Sequence, residues 1–181
     1  MEKQAVIVSF SSRPGGNCDK ISTFIQSILQ LPVKTYRFTD FSIHPCGACR
    51  YECFENNRNC PYIDDMEYAI LDEICASAFT YFVLPNYCNF PPAQFFAFNE
   101  RSQCYFQNHN ERLEAYLNVP KQFIVVSNTG KQNFVEAMYQ HTNSEPDILF
   151  LSAKHYGKVS VAGDLLESEA AKADLRNFIH L

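Results

Sequence analysis

Ala5-Val-Ile-Val-Ser-Phe10 runs into Ser11-Ser-Arg-Pro-Gly-Gly-Asn-Cys18, and Lys20 to Leu31 follows with apolar Ile21, Phe24, Ile25, Ile28 and Leu29. A short run that is apolar throughout, a Ser/Pro/Gly-rich turn and an apolar stripe at helical spacing read as strand, loop and amphipathic helix. The alternation then repeats. Val33 to Phe38 suits a second strand, and Asp64-Asp65 places carboxylates where a helix N-terminus favours them, ahead of Met66, Ile70 and Ile74. Phe79-Thr-Tyr-Phe-Val-Leu84 is a third strand stopped by Pro85, and Gln122-Phe-Ile-Val-Val-Ser127 is a fourth stopped by Asn128-Thr-Gly130. Asp147-Ile-Leu-Phe-Leu151 is a fifth, and Glu167 to Ile179 is a closing helix with Ala170, Ala171, Leu175 and Phe178 on one side. Strands without polar alternation belong in a parallel sheet covered on both faces, the doubly wound α/β class. Ligands of such sheets bind beyond the carboxyl ends of the strands, so Ser11–Cys18, Pro85–Pro92 and Ser127–Gln132 are the loops that matter.

The chain of 181 residues, 46% hydrophobic, suits a single domain over residues 1–181, with no internal repeat or linker to divide it. Fifteen basic against 20 acidic residues give a net charge of −5 without any block of one sign, which excludes a nucleic-acid or anionic-membrane footprint. The apolar run near the N-terminus is too short for a signal-peptide core or a spanning helix, so a cytoplasmic protein without membrane partners is expected. Eight cysteines in such a chain read as reduced thiols or metal ligands rather than a disulfide framework.

A loop between a first strand and a first helix turns backbone N–H groups and the positive end of the helix dipole toward an anion. Gly15 and Gly16 allow close approach, Ser11 and Asn17 add hydrogen bonds, and Arg13 offsets charge. The alternative is an ordinary Ser/Gly turn capping a helix. Neither a Walker loop nor the dinucleotide Gly-x-Gly-x-x-Gly is present. Ser11-Ser12-Arg13 followed by Gly16-Asn17-Cys18 resembles the phosphate loop of the NADPH-dependent FMN reductase and iron–sulfur flavoprotein families, Ser-x-Arg and then Gly-Asn-Thr. Phe10 stands where that pattern has Gly, and Cys18 replaces its hydroxyl residue.

Two further segments resemble the same families in the required order. Pro85-Asn86-Tyr87-Cys88-Asn89-Phe90-Pro91-Pro92-Ala93-Gln94 is similar to their Pro-x-Tyr stretch ending in Pro-Ala-Gln, and Phe98-Asn99-Glu100-Arg101 to their Phe-Ile-Asp-Arg. Proline stiffens such a loop, and Tyr87, Asn89 and Phe90 offer flat and polar surface to a flavin ring; Phe95, Phe96 and Phe98 read as core. Ser127-Asn128-Thr129-Gly130 falls where the families border the isoalloxazine. The likeness is strongest over residues 4–105. It implies a flavodoxin-like three-layer sandwich with a five-stranded parallel sheet in the order 2-1-3-4-5, and FMN held by Ser11, Arg13, Gly16, Asn17, Cys18, Pro85, Asn86, Tyr87, Cys88, Asn89, Phe90, Ser127, Asn128, Thr129 and Gly130.

Cys46, Cys49, Cys53 and Cys60 form C-x2-C-x3-C-x6-C ahead of Asp64-Asp65-Met66. Four thiols so close in sequence suit an iron–sulfur cluster or a structural zinc, and they also suit cysteines left free after a cluster was lost. The iron–sulfur flavoproteins resemble this segment, which implies a four-iron four-sulfur cluster, although their motif has two residues where this chain has three between Cys49 and Cys53. One added residue moves a side chain by about 1.5 Å and about 100° in a helix, or about 3.3 Å in a strand.

The function these readings favour is an FMN-dependent oxidoreductase passing electrons from NAD(P)H to a small-molecule or protein acceptor, with the cluster as a relay if one is bound. A flavin electron carrier that works only with a redox protein partner and a zinc-stapled interaction domain are the alternatives. No Gly-x-Ser-x-Gly elbow or Cys/His pair points to a hydrolase. The resemblance implies a homodimer or homotetramer, with the Tyr, Phe and Cys residues of 86–106 as contact material.

Overall fold

Five apolar runs pair edge to edge in one parallel sheet: β1 (Ala5–Ser9), β2 (Val33–Arg37), β3 (Phe79–Pro85), β4 (Lys121–Val126) and β5 (Asp147–Leu151). Their spatial order is β2-β1-β3-β4-β5, as expected, and every neighbouring pair is parallel. The structure, a computed structural model, describes residues 4–47, 49–56, 59–128 and 132–179. Around the sheet lie α1 (Asn17–Ile28), α2 (Met66–Ala76), α3 (Ala93–Phe106), α4 (Asn110–Asn118), α5 (Gln132–Met138) and α6 (Glu169–Phe178).

The three central strands are buried almost throughout, whereas β2 and β5 at the edges are only partly covered. Successive side chains of a strand point to opposite faces, so each run feeds two cores. Val6, Val8, Phe82, Leu84, Phe123 and Val125 meet Ile70 and Ile74 of α2 and Phe95 and Phe98 of α3. Ala5, Ile7, Tyr81, Val83 and Ile124 meet Ile21 and Ile25 of α1 and Ala171 and Leu175 of α6. This is why the strands show no polar alternation: neither face is wet.

Phe10 fills the first core just past β1. It is fully buried, with ring centroids 5.1 Å from Phe38, 5.4 Å from Phe82, 5.2 Å from Phe95 and 5.5 Å from Phe98. The aromatic residue in place of the resembling pattern's glycine is therefore a core residue. The expected aromatic stripe of α3 is corrected at one position, because Phe96 is 41% exposed while Phe95 and Phe98 are buried. Adjacent helical residues diverge by about 100°, so consecutive phenylalanines cannot both face the sheet. Helix α1 starts at Asn17, before the expected Lys20; its first turn, Asn17-Cys18-Asp19, carries no apolar stripe by which the sequence could mark it. Asp65 caps α2 by accepting from the Glu67 N–H at 3.1 Å. No helix among the described residues is long and apolar enough to cross a membrane.

At the amino-terminal edge of the sheet a buried polar group closes the α4 end. Lys121 Nζ donates to the Val119 carbonyl at 2.9 Å and to that of Tyr116, satisfying the last turn of α4. Burial pulls its pKa down to about 7. The Tyr116 hydroxyl pairs with His141 Nδ1 at 2.7 Å, and the imidazole ring lies against Phe82, Phe95 and Phe123. Burial, followed by the nearby Lys121 charge, pulls the His141 pKa down to about 3. A histidine depressed in the folded state stabilises fully above its unfolded pKa, about 6.5, and that stability is lost as pH falls toward the folded value, by at most about 1.4 kcal/mol per pH unit. In His141→Phe, which keeps a ring but takes no proton, the urea midpoint should fall less steeply between pH 7 and pH 5 than in the wild type; equal slopes would exclude His141 as the acid-sensitive group.

Candidate functional site

The loops after β1, β3 and β4 meet at the carboxyl edge of the sheet around a cleft of about 250 Å³. Ser11, Arg13, Gly16, Asn17 and Cys18 line one wall, Pro85, Asn86 and Tyr87 another, and Val126 and Asn128 a third. Three segments far apart in sequence thus converge as expected, because β1, β3 and β4 are adjacent parallel strands. Asn86 Nδ2 donates to Ser127 Oγ at 2.6 Å and ties the second loop to the third. Thr129 and Gly130 lie outside the described residues. Cys88, Asn89 and Phe90 belong to a tight hairpin: Tyr87 and Phe90 exchange backbone hydrogen bonds of 3.0 Å, and Cys88 and Asn89 have φ of +52° and +70°. Positive φ at both central positions is the signature of a type I′ turn, which Asn tolerates well. Tyr87 and Phe90 are half exposed at this rim.

The first loop carries the donors an anion needs. Gly16, the N-cap of α1, offers no side chain to the helix's free N–H groups. Arg13 and Lys20 supply positive charge. Asp19 opposes them, since its Oδ2 already accepts from the Gly15 N–H at 2.7 Å. Burial and then the neighbouring Asp19 push the Cys18 thiol up to about 12, so it stays protonated and serves as packing more than as a donor.

A fourth wall was not legible in the sequence. Residues 158–166, a strap containing the short 3-10 turn Ser160–Ala162, fold back from β5 over the first loop. The Asn17 amide bridges to it twice, donating to the Ser160 carbonyl at 3.0 Å and accepting from the Leu165 N–H at 3.0 Å. Arg13 donates to the Val161 carbonyl and Lys20 to that of Gly163 at 2.5 Å. Gly163 has φ of +72°, and a Cβ there would lie 3.3 Å from the Gly15 carbonyl, so the strap reaches this close only through a glycine. Asn128 joins in by donating to Ser160 Oγ and accepting from Lys154 N at 3.2 Å. The only signal for this in the sequence is the pair Gly157 and Gly163 around the short run Lys158-Val-Ser-Val-Ala162.

The donor set therefore fits a phosphate group in kind, with strap carbonyl oxygens now placed on Arg13, Asn17 and Lys20. The cleft is smaller than the roughly 300–1,000 Å³ typical of sites for drug-sized ligands. A whole flavin mononucleotide requires the strap or the hairpin to yield.

The cysteine segment lies beside α3. Cys53 and Cys60 bury against Cys104 of α3, which lies outside the four-cysteine motif, and the Cys46 thiol also approaches Cys104. Arg101, fully buried one turn earlier, anchors the segment: it bonds Asp65 Oδ2 at 2.7 Å, the His44 carbonyl at 3.0 Å and the Tyr62 carbonyl at 3.0 Å. Burial raises the Asp65 carboxyl, but the hydrogen bonds from Arg101 and from the His44 and Glu67 N–H groups outweigh it and hold it below the usual range. Burial lifts the Glu67 carboxyl well above that range. Among the described residues no group of three or more Cys, His, Asp or Glu side chains is arranged to hold a metal ion. The expected four-iron four-sulfur cluster on Cys46, Cys49, Cys53 and Cys60 therefore finds no support in this arrangement.

No family model matches the chain, and no curated protein does. Solved structures do. The Trp repressor binding protein from Bacillus subtilis superposes with a TM-score of 0.65 at 16% identity over 99% of this chain and 100% of that one. An azoreductase from Bacillus anthracis str. Sterne gives 0.59 at 11% identity over 97% and 96%. FerB, a flavoenzyme NAD(P)H:(acceptor) oxidoreductase from Paracoccus denitrificans, gives 0.53 at 14% identity over 97% and 94%. The chain has the flavodoxin-like fold. At these identities the likeness concerns the fold, and the site rests on the residues above.

Asn17 is thus a structural link as well as a candidate ligand. Asn17→Ala leaves the Leu165 N–H unpaired in a buried position, a loss of about 1–3 kcal/mol in unfolding free energy by urea titration. The freed strap should also be cut sooner by trypsin after Lys158; an unchanged cleavage rate would mean the strap is held by other contacts.

Proposed function

We propose that this protein is an FMN-dependent oxidoreductase that takes electrons from NAD(P)H and delivers them to a small-molecule or protein acceptor. The observation that carries this reading is the convergence of three loops at the carboxyl edge of a flavodoxin-like sheet, one of them a glycine-bearing turn into a helix N-terminus with Arg13 and Lys20 beside it. Solved structures of the same fold described as an azoreductase and a flavoenzyme NAD(P)H oxidoreductase support the class of reaction.

In this reading Arg13, Lys20 and the N–H groups at the start of α1 receive the phosphate, and the strap carbonyls give up those donors. Pro85, Asn86 and Tyr87 flank one side of the ring, with Tyr87 as the flat surface, and Ser127 and Asn128 border its other edge. Asn86 bonded to Ser127 sets the spacing between the two loops. The bound flavin supplies hydride acceptance and electron release, and the protein supplies orientation and exclusion of water. The thiols carry no step of this scheme. A homodimer or homotetramer assembled through the half-exposed Tyr87, Phe90 and Phe96 belongs to the same reading, and a cytoplasmic setting with it.

Titration with FMN and with riboflavin separates a phosphate site from mere ring stacking. Quenching of flavin fluorescence should saturate at one FMN per chain, with FMN bound at least tenfold more tightly than riboflavin. Arg13→Ala should narrow that ratio by weakening FMN alone, and the FMN-loaded protein should consume NADH or NADPH. Equal affinity for the two flavins would remove the phosphate-loop assignment.

A further inference from the structure

Cys104 and Cys53 come from different parts of the fold and meet with their sulfurs 3.4 Å apart. Both are buried, at 2% and 4% exposure, in a small apolar cluster with Cys60, Tyr62 and Ile63. Cys53 sits in the 3-10 turn Glu52–Phe54, which the chain enters through Tyr51 at a φ of +62°. Cys104 lies on α3, one turn after Arg101. The guanidinium of Arg101 is fully enclosed and holds His44, Tyr62 and Asp65 by hydrogen bonds, so the cysteine segment cannot slide along the helix. Two thiols fixed in contact by an independent clamp are placed for a bond of about 2.05 Å after small side-chain rotations.

We infer that Cys53 and Cys104 form a dithiol–disulfide pair, oxidised by a low-molecular-weight disulfide that enters through Cys46. Cys46 and Cys49 are both partly exposed, and of the two it is the Cys46 thiol that approaches Cys104, so it is the entry point to the pair. Its thiolate attacks a sulfur of the small disulfide, forming a mixed disulfide and releasing one small thiolate. Cys104 then attacks the Cys46 sulfur and expels the second small thiolate, and Cys53 attacks Cys104 and returns Cys46 as a thiolate. The balance is two protein S–H bonds broken, one S–S bond formed, and one small disulfide reduced to two thiols, which take up the two protons. The oxidised pair would tie the cysteine segment covalently to α3. This inference stands apart from the flavin reading, and its test needs no cofactor.

The native full-length protein, reduced and then equilibrated in stepped ratios of oxidised to reduced glutathione, is quenched with acid. Free thiols are blocked, and non-reducing digests are mapped by mass spectrometry. The expected product is a peptide pair joined through Cys53 and Cys104, appearing at a defined glutathione ratio and lost with dithiothreitol, with Cys18 and Cys75 still blocked as free thiols. Cys46→Ser should slow formation of this pair at least tenfold and leave its final yield unchanged. Joining of Cys46 to Cys49 alone, or Cys53 and Cys104 remaining free at every ratio, would overturn the inference. So would protection of the thiols that a chelator reverses and a reductant does not. Because the decisive readout is made on the wild-type chain, a variant that fails to fold leaves the test intact.

Discussion

Burial of β1, β3 and β4 on both faces is the constraint from which the rest of the molecule follows. A strand with no wet face must be covered twice, so the chain returns across the sheet through a helix after each strand, and because all five strands run parallel their carboxyl ends lie along one edge. The loops that leave β1, β3 and β4 therefore start from one end of the sheet whatever their own sequences are. Their side chains decide only what that end can hold. Phe10 shows the separation: it stands at the mouth of the first loop, yet its ring is spent entirely on the core among Phe38, Phe82, Phe95 and Phe98. The first loop is consequently anchored from below by an aromatic cluster, and it presents its polar residues outward from a stiff base.

The strands were legible in the sequence because two-sided burial leaves a direct trace, an apolar run with no alternation. So were the three loops, since each begins where such a run meets Pro, Gly or Asn. Helix starts were less legible: the first turn of α1 is polar, and helix α4, whose apolar side chains are few, left no clear stripe. The strap at 158–166 was hidden for a different reason. Its contacts to the first loop are made by backbone carbonyls, at Ser160, Val161 and Gly163, and a carbonyl is the same in every residue. The meeting of Cys104 with Cys53 was equally invisible. Fifty-one positions separate them, and only the packing of α3 beside the cysteine segment brings them together.

Arg101 gives the cysteine segment an order that its own sequence does not explain. A segment with a left-handed residue at Tyr51 and few apolar side chains has little to bury, and helices elsewhere in the fold are held by such burial. One enclosed guanidinium substitutes for it. It satisfies two backbone carbonyls and the capping carboxylate of α2 at once, so the start of α2, the middle of α3 and the loop that leads into α2 share a single electrostatic centre. A buried charge of this kind is stable only while all its partners remain, which makes the clamp cooperative and fixes the thiols relative to α3.

The same logic bears on the cleft. Arg13, Asn17 and Lys20 are not waiting in water for an anion; three carbonyl oxygens of the chain already occupy them. A hydrogen bond to a charged group contributes about 1.5–3 kcal/mol net, so an entering phosphate gains only the difference between its own bonds and those it displaces. The apparent affinity is the intrinsic affinity multiplied by the fraction of molecules with the strap open. Two consequences oppose each other. The strap lowers affinity for any anion, and it keeps the loop folded around a set of donors that would otherwise repel one another or collapse. In the proposed reading such a site would select for a ligand that dislodges the carbonyls at one end and gains stacking area at the other, and a free phosphate ion, having no ring to lay against Tyr87, would have only the first half of that gain.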